Sequence, residues 1–209
     1  KMPEEWQFKT LGEVIADFKG GAALEPEDFT EQGFPVLHKG DIKSDDVLEI
    51  GKANPYCSKE FANSHRSSII DASFLVTTLR ERSWDGIDII GTIAHSNGTF
   101  LLAQGAYGFH VDEQEVDSRY LAHLSNSGLY RRLMRRITVG STQIHIRTSE
   151  FLDTKLPLPP LEEQQKISSI LSSVSNEIRK DIDYKRSLEN MKEGLMQVLL
   201  TGKVRVKVN

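Results

Sequence analysis

The chain has 209 residues, 38% of them apolar and 27% charged, which suits one sizeable folded domain with an added element and excludes several domains. No stretch approaches the ~20 uninterrupted apolar residues of a membrane-spanning helix. The start, Lys1-Met2-Pro3-Glu4-Glu5-Trp6, lacks the apolar core of a secretory signal, so the expectation is a cytoplasmic protein with no membrane partner. A lone cysteine, Cys57, excludes an intrachain disulfide and a paired-cysteine zinc site, leaving a solvated or core thiol. The net charge of -4 argues against coating nucleic acid by bulk charge but leaves room for a local basic site.

Residues 1–60 carry thirteen acidic and seven basic side chains, residues 61–160 ten of each, and residues 161–209 seven acidic and nine basic. The densest cationic cluster is Arg131, Arg132, Arg135 and Arg136; it is expected to be a helix face salt-bridged to its neighbours, with phosphate contact as the alternative.

In chain order, Thr10-Leu11-Gly12-Glu13 fits a capping box that opens a short helix closed by Gly20-Gly21. Strand-like runs follow at 34–37, 74–79, 87–94, 99–103 and 107–111, separated by Gly, Asn, Asp and Ser. Asp117-Ser118 caps a helical stretch through Arg136, interrupted at Asn126-Ser127-Gly128. The predicted head is α+β, a small sheet with helices at its edges. At Leu156-Pro157-Leu158-Pro159-Pro160, three prolines in four positions forbid a helix interior and force extended backbone.

Beyond it, Ile167, Leu171, Val174, Ile178 and Ile182, then Leu188, Met191, Leu195 and Leu199, form the stripe of one long amphipathic helix. Forty helical residues span about 60 Å, roughly twice the diameter of a compact domain of the remaining size. Much of the stripe therefore calls for a partner helix, in the same chain, a second copy or another subunit. A hairpin folding near Asp181 to Lys185 is the alternative, although no Gly or Pro supports the break. The stripe lapses at Lys185, either a register-fixing polar position or a solvated slip. The expected division is a head at 1–155, a proline-rich junction at 156–160 and a helical region at 161–209.

Catalytic chemistry is hard to assemble. Asn54-Pro55-Tyr56 has one proline too few for an adenine amino-methyltransferase tetrapeptide and reads as a turn. Gly140-Ser141-Thr142 lacks the fixed glycine and lysine of a phosphate loop. None of the six histidines stand four apart on a helix, and Glu81, Asp85 and Asp88 fall at a turn, so no catalytic residue and no metal ligand is assigned. Two loop segments instead carry groups suited to base edges. Arg80-Glu81-Arg82-Ser83-Trp84 offers two guanidinium forks beside an indole. Residues 140–147 offer hydroxyls, an amide, an imidazole and an arginine on extended backbone.

The run Leu156-Pro157-Leu158-Pro159-Pro160-Leu161-Glu162-Glu163-Gln164-Gln165-Lys166-Ile167, with Ile170-Leu171, Gly194-Leu195-Met196-Gln197 and Leu199-Leu200-Thr201-Gly202-Lys203-Val204-Arg205-Val206, resembles the specificity subunit of a type I restriction-modification system. The front resembles the same family more loosely, through Glu5-Trp6, Leu11-Gly12-Glu13-Val14, Phe34-Pro35-Val36-Leu37 and Gly40-Asp41-Ile42. The resemblance implies a target-recognition domain reading double-stranded DNA, followed by a helical region that acts as spacer and docks modification methyltransferase subunits. It also implies a restriction translocase subunit in the full complex. The chain itself would be non-catalytic and without cofactor, with S-adenosylmethionine and ATP with magnesium on partner subunits. Such subunits usually hold two recognition domains, and this chain carries one, so the expectation is a half-subunit that pairs as a homodimer through an antiparallel coiled coil.

The residues expected to contact DNA are Lys39, Arg80, Arg82, Ser83, Trp84, Ser141, Thr142, Gln143 and His145. One alternative is a coiled-coil assembly scaffold whose head binds protein; another is a piece of a combined restriction and modification enzyme.

Overall fold

The computed structural model describes residues 3–43, 48–50, 55–82 and 84–207, and of Trp84 only the backbone. The elements in chain order are β1 (Gln7–Thr10), α1 (Leu11–Val14), β2 (Ile15–Gly20), β3 (Phe29–Thr30), β4 (Phe34–Leu37), β5 (Tyr56–Cys57), α2 (Lys59–Ser64), β6 (Ile69–Ile70), β7 (Leu75–Thr78) and β8 (Arg80–Glu81). They continue with β9 (Ile93–His95), β10 (Phe100–Leu102), β11 (Ala106–Val111), α3 (Ser118–Ser125), α4 (Gly128–Ile137), β12 (Ile144–His145), α5 (Thr148–Leu152), β13 (Lys155–Leu158) and α6 (Leu161–Leu199). The chain divides into two compact units, Lys1–Ser168 and Ser169–Asn209.

The first unit is α+β, but its strands do not form the single small sheet expected. A four-stranded sheet runs β2-β11-β7-β9 and a five-stranded one β3-β5-β4-β10-β6, while β1-β13 and β12-β8 make two-stranded ribbons. Strands β10 and β4 pair in parallel. The largest core cluster packs Leu75, Ile93 and Phe109 of the four-stranded sheet against Leu121, Tyr130 and Met134 of α3 and α4. Cys57 is buried in a smaller cluster beside Val36 and Leu101, and burial pushes its thiol pKa up.

Local chemistry explains most elements. The Thr10 box is present, with Glu13 N donating to Thr10 Oγ1 at 3.2 Å and Thr10 N donating to Glu13 Oε2 at 2.6 Å. The Thr10 N–H and the Thr10 hydroxyl, both donating to the Glu13 carboxylate, hold it below its usual pKa range. The helix they open is one turn long; residues 15–20, expected to be helical, are strand β2. Pairing with β11 overrides the local helical signal, setting Phe18 opposite Phe109 with ring centroids 6.1 Å apart.

The run 87–94 is also shorter as strand than expected, because Gly91 takes φ +76° and breaks it, leaving only Ile93 onward paired. The Tyr130 hydroxyl donates to the Gly91 carbonyl at 2.7 Å. Asp117 and Ser127 cap α3 and α4, each accepting from a backbone N–H three residues on. Asn54 lies outside the described residues, and the Tyr56 that follows opens β5.

The proline segment is part of the first unit. Leu156 and Leu158 are buried, and β13 pairs antiparallel with β1, Pro157 opposite Phe8. The unit extends to Ser168. The Glu-Gln pair at the start of α6 has a physical reason. Gln164 is 1% exposed, its Oε1 accepts from Asp117 N at 3.0 Å, and its Nε2 donates to the carbonyls of Pro159 and Glu115 at 2.9 and 3.1 Å. Nearby, burial, with the Glu163 carboxylate adding to it, pushes the Tyr120 phenol up to about 12. Gln164→Ala should strand three backbone groups and lower unfolding stability by about 3 kcal/mol in urea titration, each unsatisfied buried group costing about 1–3 kcal/mol. A loss within error of zero would show that water replaces the amide.

The second unit is helical through Leu199. Helix α6 passes uninterrupted through 181–185, so the hairpin alternative is not formed. Gly202, at φ +71°, ends it, with its N–H bonded to the Leu199 carbonyl at 3.2 Å. Lys185, where the stripe lapses, lies 3.9 Å from Glu189 one turn on. No helix among the described residues is long and apolar enough to cross a membrane.

Candidate nucleic-acid interface

Strands β8 and β12 bring the two loop segments singled out in the sequence into one ribbon. They pair antiparallel, with His145 opposite Arg80 and Ile144 opposite Glu81. The far edge of β12 is closed by Val139, which exchanges backbone hydrogen bonds with His145 at 2.9 and 2.8 Å. Between them Gly140 takes φ +114°, and a Cβ there would stand 2.0 Å from the Gln143 carbonyl oxygen, so only glycine fits this turn.

Alternation then decides what faces outward. Ile144 and Ile146 are buried, whereas Gln143 and Arg147 are exposed and His145 is half-buried. Arg80 shares the His145 side of the ribbon, since directly opposed residues project to the same face. Ser141, Thr142 and Arg82 are exposed beside it. Arg147 was visible in the sequence as part of the segment but was not among the expected DNA contacts; the alternation Gln-Ile-His-Ile-Arg was the signal that places it with Gln143 and His145.

Lys39 joins this face from a distant part of the chain, a single 3-10 turn at Lys39–Asp41. It meets Arg80 over Gly105: a Cβ on Gly105 would lie 3.3 Å from Lys39 Cδ and 3.6 Å from Arg80 Cβ. Burial holds the Lys39 ammonium pKa below the usual lysine range; Glu81 opposes this, and Arg82 and Arg80 add to it. Four of the expected positions, Lys39, Arg80, Arg82 and His145, are therefore neighbours, with Ser141, Thr142 and Gln143 on the adjoining turn. Ser83 and the Trp84 side chain lie outside the described residues.

Two of the four arginines on α4 are engaged by neighbouring groups. Arg131 donates to the Ile90 carbonyl at 3.1 Å and to Thr92 Oγ1 at 2.6 Å, and Arg135 pairs with Asp88. Among the described residues no group of three or more His, Cys, Asp and Glu is placed to hold a metal ion.

On α6, Leu171, Val174, Ile178, Ile182, Leu188, Met191, Leu195 and Leu199 are all exposed, from 39% at Leu199 to 60% at Met191. Ile167 is the exception to the expected partner-facing set. It packs against the largest core cluster of its own unit.

Residues 3–185 match the profile of the type I restriction modification DNA specificity domain. The chain is 27% identical over 207 residues to the type I restriction enzyme MjaVIII specificity subunit of Methanocaldococcus jannaschii, covering 99% of this chain and 48% of that protein. Against the type I restriction enzyme EcoKI specificity subunit of Escherichia coli, identity is 25% over 222 residues, covering 99% and 45%. Among solved structures, the S subunit of the type I restriction-modification system of M. genitalium superposes with a TM-score of 0.65 at 15% identity, covering 95% of this chain and 47% of that one. The HsdS subunit from Thermoanaerobacter tengcongensis gives 0.57 at 16% identity, covering 95% and 45%. The chain thus spans about half the length of the relatives it matches, and both of the likenesses in fold extend over nearly all of it. By the match over residues 3–185, the chain belongs to the family of type I restriction modification DNA specificity domains.

Proposed function

We propose that this chain is a reader of one half of a bipartite DNA target, pairing with a second copy of itself through α6 and docking modification methyltransferase subunits. The observation that carries the reading is the β8-β12 ribbon, which gathers Arg80, Gln143, His145 and Arg147 on one face beside Lys39. A two-stranded ribbon fits the major groove of B-DNA, where arginine recognises guanine bidentately and glutamine recognises adenine. Lys39 supplies phosphate attraction that the acidic chain as a whole does not.

The exposed stripe on α6 supports the second half of the reading. In water such a face gains about 25 cal/mol for each Å² it buries, and the same face of a second copy matches it in length and polarity. Two-fold pairing makes the two readers equivalent, so the target is one short sequence and its inverted repeat, with the helix length setting the spacer. The chain performs no chemistry. Methylation, with S-adenosylmethionine, belongs to the modification subunits, and ATP-dependent translocation with magnesium to a restriction subunit. Selection from a randomised duplex pool by this chain with its modification subunits should enrich one short motif and its inverted copy at fixed spacing. A selected pool indistinguishable from the input would refute the reading.

A further inference from the structure

The exposed stripe of α6 is symmetric about its middle. Leu171 and Leu195 stand twelve residues either side of Asp183, and Ile178 and Leu188 five residues either side. The lapse in the stripe has the same centre, since Asp181 and Lys185, opposite in sign, stand two residues either side. All six side chains are exposed. Steps of seven through 171, 178, 185 and 192, and through 174, 181, 188 and 195, put them on one seam, the repeat of a left-handed coil. Within its own helix Lys185 lies 3.9 Å from Glu189.

The direction of pairing then follows from charge. Two copies in parallel would oppose Lys185 to Lys185 and Asp181 to Asp181. Run antiparallel about a two-fold axis at the level of Asp183, each Leu171 faces Leu195 of the other copy, each Ile178 faces Leu188, and each Asp181 faces Lys185. Ile182 and Tyr184, both exposed beside the seam, then flank their own counterparts at the axis. Val174 meets the stem of Lys192, with Met191 beside it. A slip of one heptad would instead set Lys185 against Leu188.

We propose that Asp181 and Lys185 fix the register of an antiparallel pair of α6 helices, each meeting the other across the two-fold axis at Asp183. The proposal rests on the reading of α6 as the surface that binds a second copy. It gives the polar lapse a task, because a slip of one heptad shifts the two chains by about 10 Å, the length of about three base pairs of B-DNA. A seam of apolar side chains alone would not exclude that slip.

The test is sedimentation equilibrium of the full chain as wild type, as Asp181→Lys, as Lys185→Asp and as an equimolar mixture of the two variants. Each variant alone opposes like charges twice and should weaken the dimer about a hundredfold. Mixed, they recover two opposite-charge pairs, and the mixture should dimerise within about threefold of the wild type. Asp183→Lys mixed with Arg186→Asp repeats the charge changes away from the seam, and each of these alone should stay within about threefold of the wild type. Circular dichroism identifies a variant that loses its helix, and both reversals in one chain, Asp181→Lys with Lys185→Asp, should then dimerise like the wild type and decide. A monomeric wild type would remove the pairing reading and the register with it. A wild-type dimer that Lys185→Asp leaves intact, a mixture no stronger than its components, or the same pattern from the Asp183 and Arg186 variants would overturn the register alone.

Discussion

Aspartate at both Leu171 and Ile178 should convert a dimer of this chain into monomers at micromolar concentration, read as a halving of mass in sedimentation. The two positions are 42% and 54% exposed in the single chain and lie two turns apart on the α6 stripe. In a two-fold coil each substitution occurs twice, so four side chains leave the seam. At about 1.5–3 kcal/mol for each buried Leu or Ile, the loss is about 6–12 kcal/mol, before the added cost of burying four carboxylates. Each 1.4 kcal/mol is about tenfold in affinity, so the dimer constant weakens by at least about four decades. The thermal unfolding of the head should be unchanged, because neither side chain belongs to its core clusters. Equal mass for variant and wild type would remove α6 as the pairing surface.

Replacing Arg82 or Gln143 by alanine should relax sequence preference by about 1–3 kcal/mol at one position of the half-site, measured by competition between the selected duplex and single-base variants. Both side chains are exposed and Gln143 sits on the turn fixed by Gly140, so neither substitution should disturb folding. Unchanged selectivity in both would move base reading away from the ribbon. Selectivity lost in Gln143→Ala alone would leave Arg82 to phosphate.

Helix caps and the α6 stripe were legible from local spacing alone. Thr10 and Asp117 each announce a helix start within four residues, the interruption read at 126–128 is where Ser127 caps α4, and a stripe recurring over nine positions needs no tertiary knowledge. The two-residue strands β3, β5, β6 and β8 were not legible, since a period of two cannot be detected in two residues and their partners lie far away in sequence. For the same reason both halves of the candidate interface could be named in the sequence while their pairing could not. Lys39 reaches Arg80 only because the chain places Gly105 between them, and Glu81 looked like a solvated turn residue until its register with Ile144 was known. Arg131 belongs to the opposite case. Read as part of a helix face paired with its neighbours, with phosphate contact as the alternative, it is committed to the carbonyl of Ile90, an acceptor freed where Gly91 breaks the strand.

Long-read mapping of methylated adenines in cells that express this chain with its cognate methyltransferase tests the pairing of two identical readers most directly. The account predicts a single bipartite motif whose two halves are inverted copies of one short sequence. Two unrelated half-sites, or a lone unpaired motif, would contradict it.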